Sequence, residues 1–210
     1  QLPSEIGRIS SLQTLSLSRS GLTGTIPRGF SDLSQLTVVK LSGNHLVGTL
    51  PQVNASVPAG LSLLVDENQL SGNLHGLCGL PFDRLSKGAL WAQSNNFSGT
   101  IPLDIFSSFR SSVILSNNRL DGELPDGWVR RAGFSIDLSN NLLQGTIPIT
   151  GYQENEEIFE IDLSRNRFHG APDHRLGLMS QLGTLNLAYN QLNSTMDGWE
   201  SHEVRHGEFA

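Results

Sequence analysis

The stretch Leu36-x-x-Val39-x-Leu41-Ser42-x-Asn44-x-Leu46-x-Gly48-x-Leu50-Pro51 decides how the whole chain is read. Its spacing returns at Val113-x-Leu115-Ser116-x-Asn118-x-Leu120-x-Gly122-x-Leu124-Pro125 and, less completely, six more times. The copies are anchored at Ser20, Asn44, Asn68, Asn95, Asn118, Asn141, Asn166 and Asn190, and subtracting neighbours gives steps of 24, 24, 27, 23, 23, 25 and 24 residues. Apolar residues alternating in the Leu-x-Leu core lie on one face of a short strand, a face that no single copy can bury. Stacking the copies supplies the missing core. Each Asn stands where the chain leaves the strand and turns inward, so its amide is expected to pair backbone groups of its own and the adjacent coil that would otherwise be buried unpaired. Asn44, Asn68, Asn95, Asn118, Asn141, Asn166 and Asn190 thus form an expected structural ladder. Gly48, Gly72, Gly99, Gly122, Gly145 and Gly170 mark tight backbone placement, and prolines at 27, 51, 102, 125 and 148 suit an extended segment that stops pairing.

Gly24-Thr25-Ile26-Pro27, Gly99-Thr100-Ile101-Pro102 and Gly145-Thr146-Ile147-Pro148 carry a resemblance to the plant-type leucine-rich repeat, which the period near 24 supports. The resemblance implies an α/β repeat solenoid: a right-handed superhelix with a concave parallel β-sheet, an extra strand near the Gly-x-Ile-Pro segment and short 3₁₀ turns on the convex side. Members of the family are mostly extracellular, among them receptor-like proteins, receptor kinase ectodomains and polygalacturonase-inhibitor-like proteins. Departures are local. Gly60 and Lys87 replace the first apolar position, Ala92 replaces a strand leucine, and the seventh unit shortens to Gly170-Ala171-Pro172. They predict distortion or loops within one fold.

With 37% apolar and 16% charged residues, positions 1–210 are expected to form a single leucine-rich repeat domain of about eight repeats. Leu2-Pro3-Ser4-Glu5-Ile6-Gly7 matches the tail of a preceding repeat, and Met196-Asp197-Gly198-Trp199 echoes Pro125-Asp126-Gly127-Trp128 without a following strand, so both ends are read as truncated or uncapped. A net charge of -6 argues against a nucleic-acid partner, and no run of 18 uninterrupted apolar residues provides a membrane span. Cys78 has no partner within residues 1–210, being the only cysteine there, and is read as a semi-buried thiol, with an intermolecular disulfide or a cysteine outside this segment as the alternatives. Asn54-Ala55-Ser56, Asn96-Phe97-Ser98 and Asn193-Ser194-Thr195 are N-glycosylation acceptors. With the resemblance, they point to a secreted or cell-surface protein.

His202-Glu203-x-x-His206 has the spacing of a zinc metalloprotease motif. Its flanks lack an amphipathic helix and no third ligand follows, so a polar terminus is the better account. His169 and His174 beside Asp173 are read as a solvated turn rather than a metal site. No phosphate cradle or nucleophile elbow is present, and neither catalytic residue, metal nor cofactor is implied.

The residues four places before each anchor should line the concave face: Ser16, Lys40, Leu64, Trp91, Ile114, Asp137, Asp162 and Asn186. Leu64, Trp91 and Ile114 form an apolar run where a merely soluble surface would be polar, and Asp137, Asp162 and Glu160 extend it with negative charge. An apolar anchor with an acidic rim suits a protein or peptide carrying an aliphatic or aromatic group near Lys or Arg; a polysaccharide is a further candidate. The expected function is non-catalytic extracellular recognition through these residues. The competing account of Trp91 is a cover for the irregular segment 75–88. Two alternatives compete with recognition itself: a structural role in an extracellular matrix or filament, and ice binding by the flank that carries Thr25, Thr49, Thr100 and Thr146, a column interrupted by Asn73 and Glu123.

Overall fold

A computed structural model describes residues 1–52, 58–78, 80, 87–154 and 157–193. Within them two parallel eight-stranded sheets run the length of the array. One comprises Thr14–Ser16, Val38–Lys40, Ser62–Leu64, Ala89–Trp91, Ser112–Ile114, Ser135–Asp137, Glu160–Asp162 and Thr184–Asn186. The second, on the flank, comprises Thr23–Gly24, His45–Gly48, Gln69–Gly72, Asn96–Gly99, Arg119–Glu123, Leu142–Gly145, Arg167–Gly170 and Gln191–Leu192. Each coil contributes one strand to each sheet. Coils are numbered here from coil 1 at Ser20 to coil 8 at Asn190. The architecture is the expected leucine-rich repeat solenoid, with the first sheet on the concave side.

Both sheets turn one set of side chains inward. Val39, Leu63, Leu90, Val113, Ile136 and Ile161 pack beneath the concave sheet, and Leu46, Leu70, Phe97, Leu120, Leu143 and Phe168 beneath the flank. Fully burying side chains of this kind stabilises by about 1.5–3 kcal/mol each, before the entropy of ordering them is subtracted. Leu15, Leu17, Leu22, Leu185 and Leu192 in the two outermost coils are only partly buried, because each coil contacts only its neighbours.

The return segments correct one expectation. Those at Ser4–Arg8, Arg28–Asp32, Leu74–Leu77, Tyr152–Glu154 and His174–Leu178 are 3₁₀, but Leu103–Ser108 and Trp128–Arg131 are short α-helices. The buried residues explain the difference. Phe30 with Leu33, Leu74 with Leu77 and Leu176 with Met179 are apolar pairs three apart, which eclipse on a three-residue turn. Ile105, Phe106 and Phe109, and likewise Trp128, Val129 and Ala132, are buried in an i, i+1, i+4 pattern that fits 3.6 residues per turn. The two helices meet through Phe106 and Trp128, whose ring centroids lie 5.6 Å apart, and the Trp128 indole N–H donates to the Pro148 carbonyl at 2.9 Å.

The irregular units leave the sheets intact. In coil 3 Leu61 is buried in place of Gly60. In coil 4 Lys87 is exposed, and Gly88 lies so close to coil 3 that a Cβ would come within 2.2 Å of the Leu61 carbonyl oxygen. Leu63 and Leu64 pair with Leu90 and Trp91 across the longest step, and Ala92 is fully buried.

Candidate concave recognition surface

The surface depends on the ladder that holds coils in register. Asn118 is buried; its Nδ2 donates to the carbonyls of Ala92 (3.0 Å), Leu115 (3.0 Å) and Ser116 (3.3 Å), and its Oδ1 accepts from the Phe97 N–H (3.0 Å). Asn44, Asn68, Asn95, Asn141, Asn166 and Asn190 repeat this arrangement, each amide serving the preceding coil as well as its own. Immediately before each anchor lies a feature that the sequence reading missed. Arg19, Gly43, Glu67, Ser94, Asn117, Asn140, Arg165 and Tyr189 all have φ between 53° and 66°. This left-handed residue turns every coil out of the concave sheet. Gly43, Asn117 and Asn140 are residue types that tolerate it, and could have signalled it; Arg, Glu and Tyr hide it.

The register places Ser16, Lys40, Leu64, Trp91, Ile114, Asp137, Asp162 and Asn186 opposite one another in a single column, as expected. Trp91 is 41% exposed, while Leu64 and Ile114 on either side are half-buried. The Trp91 indole N–H donates to Ser112 Oγ of the next coil at 2.9 Å, which fixes the ring across the sheet. Two residues further on, past the end of the strand, Gln93 Oε1 is buried without a hydrogen-bond partner among the described residues.

The acidic residues follow in coils 6 and 7. Asp137 Oδ1 accepts from the Ser139 N–H (2.9 Å); Asp162 accepts from the Ser164 N–H (2.8 Å) and from Asn186 Nδ2 (2.9 Å). Glu160 stands one row away, paired in register with Ser135, whose hydroxyl donates to it at 2.9 Å. All these donors are neutral, and among the described residues no Lys, Arg or His forms an ion pair with the three acids. Asp173 differs: its hydrogen bond and charge contact with Arg175 hold its carboxyl below the usual range. Beside these acids, at the entry to the same strands, Phe134 and Phe159 stack with centroids 5.2 Å apart and planes 6° from parallel. The sequence reading missed this pair.

The other candidates lie elsewhere. Asn96 and Ser98 are both exposed on the flank sheet with Phe97 fully buried between them, and Asn193 is exposed. Asn54 and the His202–His206 motif lie outside the described residues. Among the described residues no three His, Cys, Asp or Glu side chains come together as a metal site, and no helix is long and apolar enough to cross a membrane. Cys78 is half-buried, and burial, with a smaller contribution from Asp104, pushes its thiol above the ordinary range. Thr25, Thr49, Thr100 and Thr146 are exposed in one flank column, but Asn73 and Glu123 interrupt it and Arg119, Asp121, Arg167 and His169 stand exposed beside it.

Fold and ladder together define a leucine-rich repeat array, and comparison with known proteins agrees. The family model described as Leucine Rich Repeat matches residues 11–33. The chain is 32% identical to the leucine-rich repeat ectodomain of the receptor kinase GASSHO1/SCHENGEN3 from Arabidopsis thaliana, solved with CASPARIAN STRIP INTEGRITY FACTOR 2, at a TM-score of 0.79 over 91% of this chain and 23% of that one. It is 26% identical to the Arabidopsis receptor kinase HAESA, solved with the peptide hormone IDA and the co-receptor SERK1, at a TM-score of 0.76 over 91% of this chain and 32% of that one. A plant ice-binding protein is similar at 27% identity and a TM-score of 0.64, over 92% of this chain and 69% of that one. No curated protein matches. The chain is thus a leucine-rich repeat array similar to the plant-type family. It spans 23% and 32% of the two receptor chains.

Proposed function

We propose that this chain is a non-catalytic, extracellular recognition module that binds a protein or peptide segment along its concave sheet. The observation that carries the reading is Trp91, a large indole held outward on the sheet between Leu64 and Ile114, with Asp137, Asp162 and Glu160 following in register. A central aromatic anchor flanked by apolar residues is the usual energetic centre of an interface, and uncompensated charge at its side selects a basic partner and speeds encounter. The similar receptor HAESA, solved with a peptide hormone, supports the same reading. Asn96 and Asn193 lie away from the concave column, where glycans would leave it open.

The test is binding of peptides selected from a displayed random library on the wild-type chain. Trp91→Ala should weaken the selected peptides by about 2 kcal/mol, roughly thirtyfold, with an unchanged melting profile. Peptides that bind the alanine variant normally would refute the concave-face assignment. Ice binding is opposed by the broken, charge-flanked threonine column, and the expected thermal hysteresis is none.

A further inference from the structure

We propose that the edge of the concave sheet at coils 6 and 7 is a second docking position, taking an extended basic segment that presents an aromatic side chain two residues from an arginine. The inference rests on the concave-face reading and adds the chemistry of the partner. Of the seven described phenylalanines, Phe30, Phe97, Phe106, Phe109 and Phe168 are at most 7% exposed, whereas Phe134 and Phe159 are 53% and 46% exposed. The fold does not require aromatics there: the equivalent position holds Gln13, Thr37, Leu61, Gly88, Ser111 and Gly183 in the other coils. The pair is nonetheless held firmly. The Phe159 N–H donates to the Phe134 carbonyl at 2.9 Å, and the Gly183 N–H to the Phe159 carbonyl at 2.8 Å. A Cβ on Gly183 would come within 2.5 Å of the Phe159 ring, so that ring lies between Phe134 and the coil 8 backbone. Phe159 therefore offers a partner its edge, which is matched by the face of an incoming aromatic ring.

Charge complementarity identifies the second group. Glu160 directly follows Phe159, and Asp137 and Asp162 lie opposite one another two residues further along their strands, about 4.8 Å apart across the sheet. Their hydrogen bonds come from neutral donors. The column's one cation, Lys40, is four strands from Asp137, about 19 Å. That exceeds the screening length of roughly 8 Å at physiological salt. A planar guanidinium can bridge two carboxylates at strand spacing, whereas an ammonium acts as a point charge. In an extended segment residues i and i+2 share a side about 7 Å apart; the Phe row and the Asp row lie three residues apart, about 10 Å, and the length of an arginine side chain covers the difference.

The probe is a phage-displayed library of random dodecapeptides selected on the wild-type chain at low salt, with winners resynthesised and measured by fluorescence anisotropy. The expected winners carry an aromatic-x-Arg pattern. Their affinity should fall at least tenfold on the doubly substituted Phe134→Ala, Phe159→Ala chain, and several-fold when the peptide Arg becomes Lys. Asp137→Asn with Asp162→Asn keeps side-chain shape and the backbone bonds to Ser139 and Ser164; it should also weaken binding at least tenfold and flatten the salt dependence. Phe159→Leu, with melting followed by circular dichroism, guards against a folding defect and should give an intermediate loss. Winners that lack basic residues, no winners at all, or winners indifferent to the Phe substitutions overturn the proposal. In the last case, a loss with Trp91→Ala leaves the concave-face reading standing; indifference to that variant too removes both.

Discussion

Coils 3–5 and coils 6–7 present opposite chemistry on one continuous backbone. In the first, Leu64, Trp91 and Ile114 make the column apolar; in the second, Asp137 and Asp162 occupy the same column, with Glu160 and the Phe134–Phe159 stack on their flank. The strand geometry and the Asn amide beneath are the same in both. A repeat fold therefore separates its two tasks: inward positions keep coils stacked, and outward positions vary without disturbing them.

That separation is broken most severely where coils touch through backbone. A Cβ at Gly133 would lie 1.8 Å from the Arg110 carbonyl oxygen, and at Gly88 2.2 Å from that of Leu61. Gly133→Ala and Gly88→Ala should each destabilise by about 3 kcal/mol or more through forced backbone displacement, in the acidic and apolar halves alike. Gly177→Ala, where a Cβ meets nothing within 4 Å, is the control. Chemical denaturation measures all three, and a stable Gly133→Ala chain would contradict the coil packing. Next in size is Asn118→Ala, at the junction of the halves. It strands the buried Phe97 N–H and takes one of two donors from the Ala92 and Leu115 carbonyls, which keep the Asn95 and Asn141 amides, and should lower stability by about 1–3 kcal/mol.

Substitutions on the outward column should spare stability and divide by region. Trp91→Ala should mainly accelerate dissociation of a selected peptide, whereas Asp137→Lys with Asp162→Lys should mainly slow association, more so at low salt. Surface plasmon resonance at two ionic strengths separates the two, and equal effects on both rates from both variants would remove the contrast. The smallest expected effect concerns an acid that is already paired. Asp173 is held low by Arg175, so its contribution to stability is present above the usual carboxylate range and disappears as pH falls through its lowered folded value. The melting temperature of Asp173→Asn should lie slightly below wild type at neutral pH and converge with it in strong acid.

What was legible in the sequence was whatever repeats. The recurrence of Asn with its flanking Leu-x-Leu is enough to set coil register, because a one-residue slip would turn every apolar side chain outward. The Trp91 column and the buried Asn118 amide follow from that register. The return segments were less legible, since i, i+3 and i, i+1, i+4 apolar patterns differ by one position and only packing of Phe106 on Trp128 selects helix over 3₁₀ turn. The left-handed residue before each anchor was concealed for a different reason: the turn out of the strand takes this conformation at Arg19, Glu67, Arg165 and Tyr189 regardless of side-chain preference. The Phe134–Phe159 stack belongs to tertiary structure alone. Twenty-five residues separate the two rings in the chain, neither sits at an apolar position of the repeat, and only the stacking of coil 7 on coil 6 brings them together beside three unneutralised carboxylates.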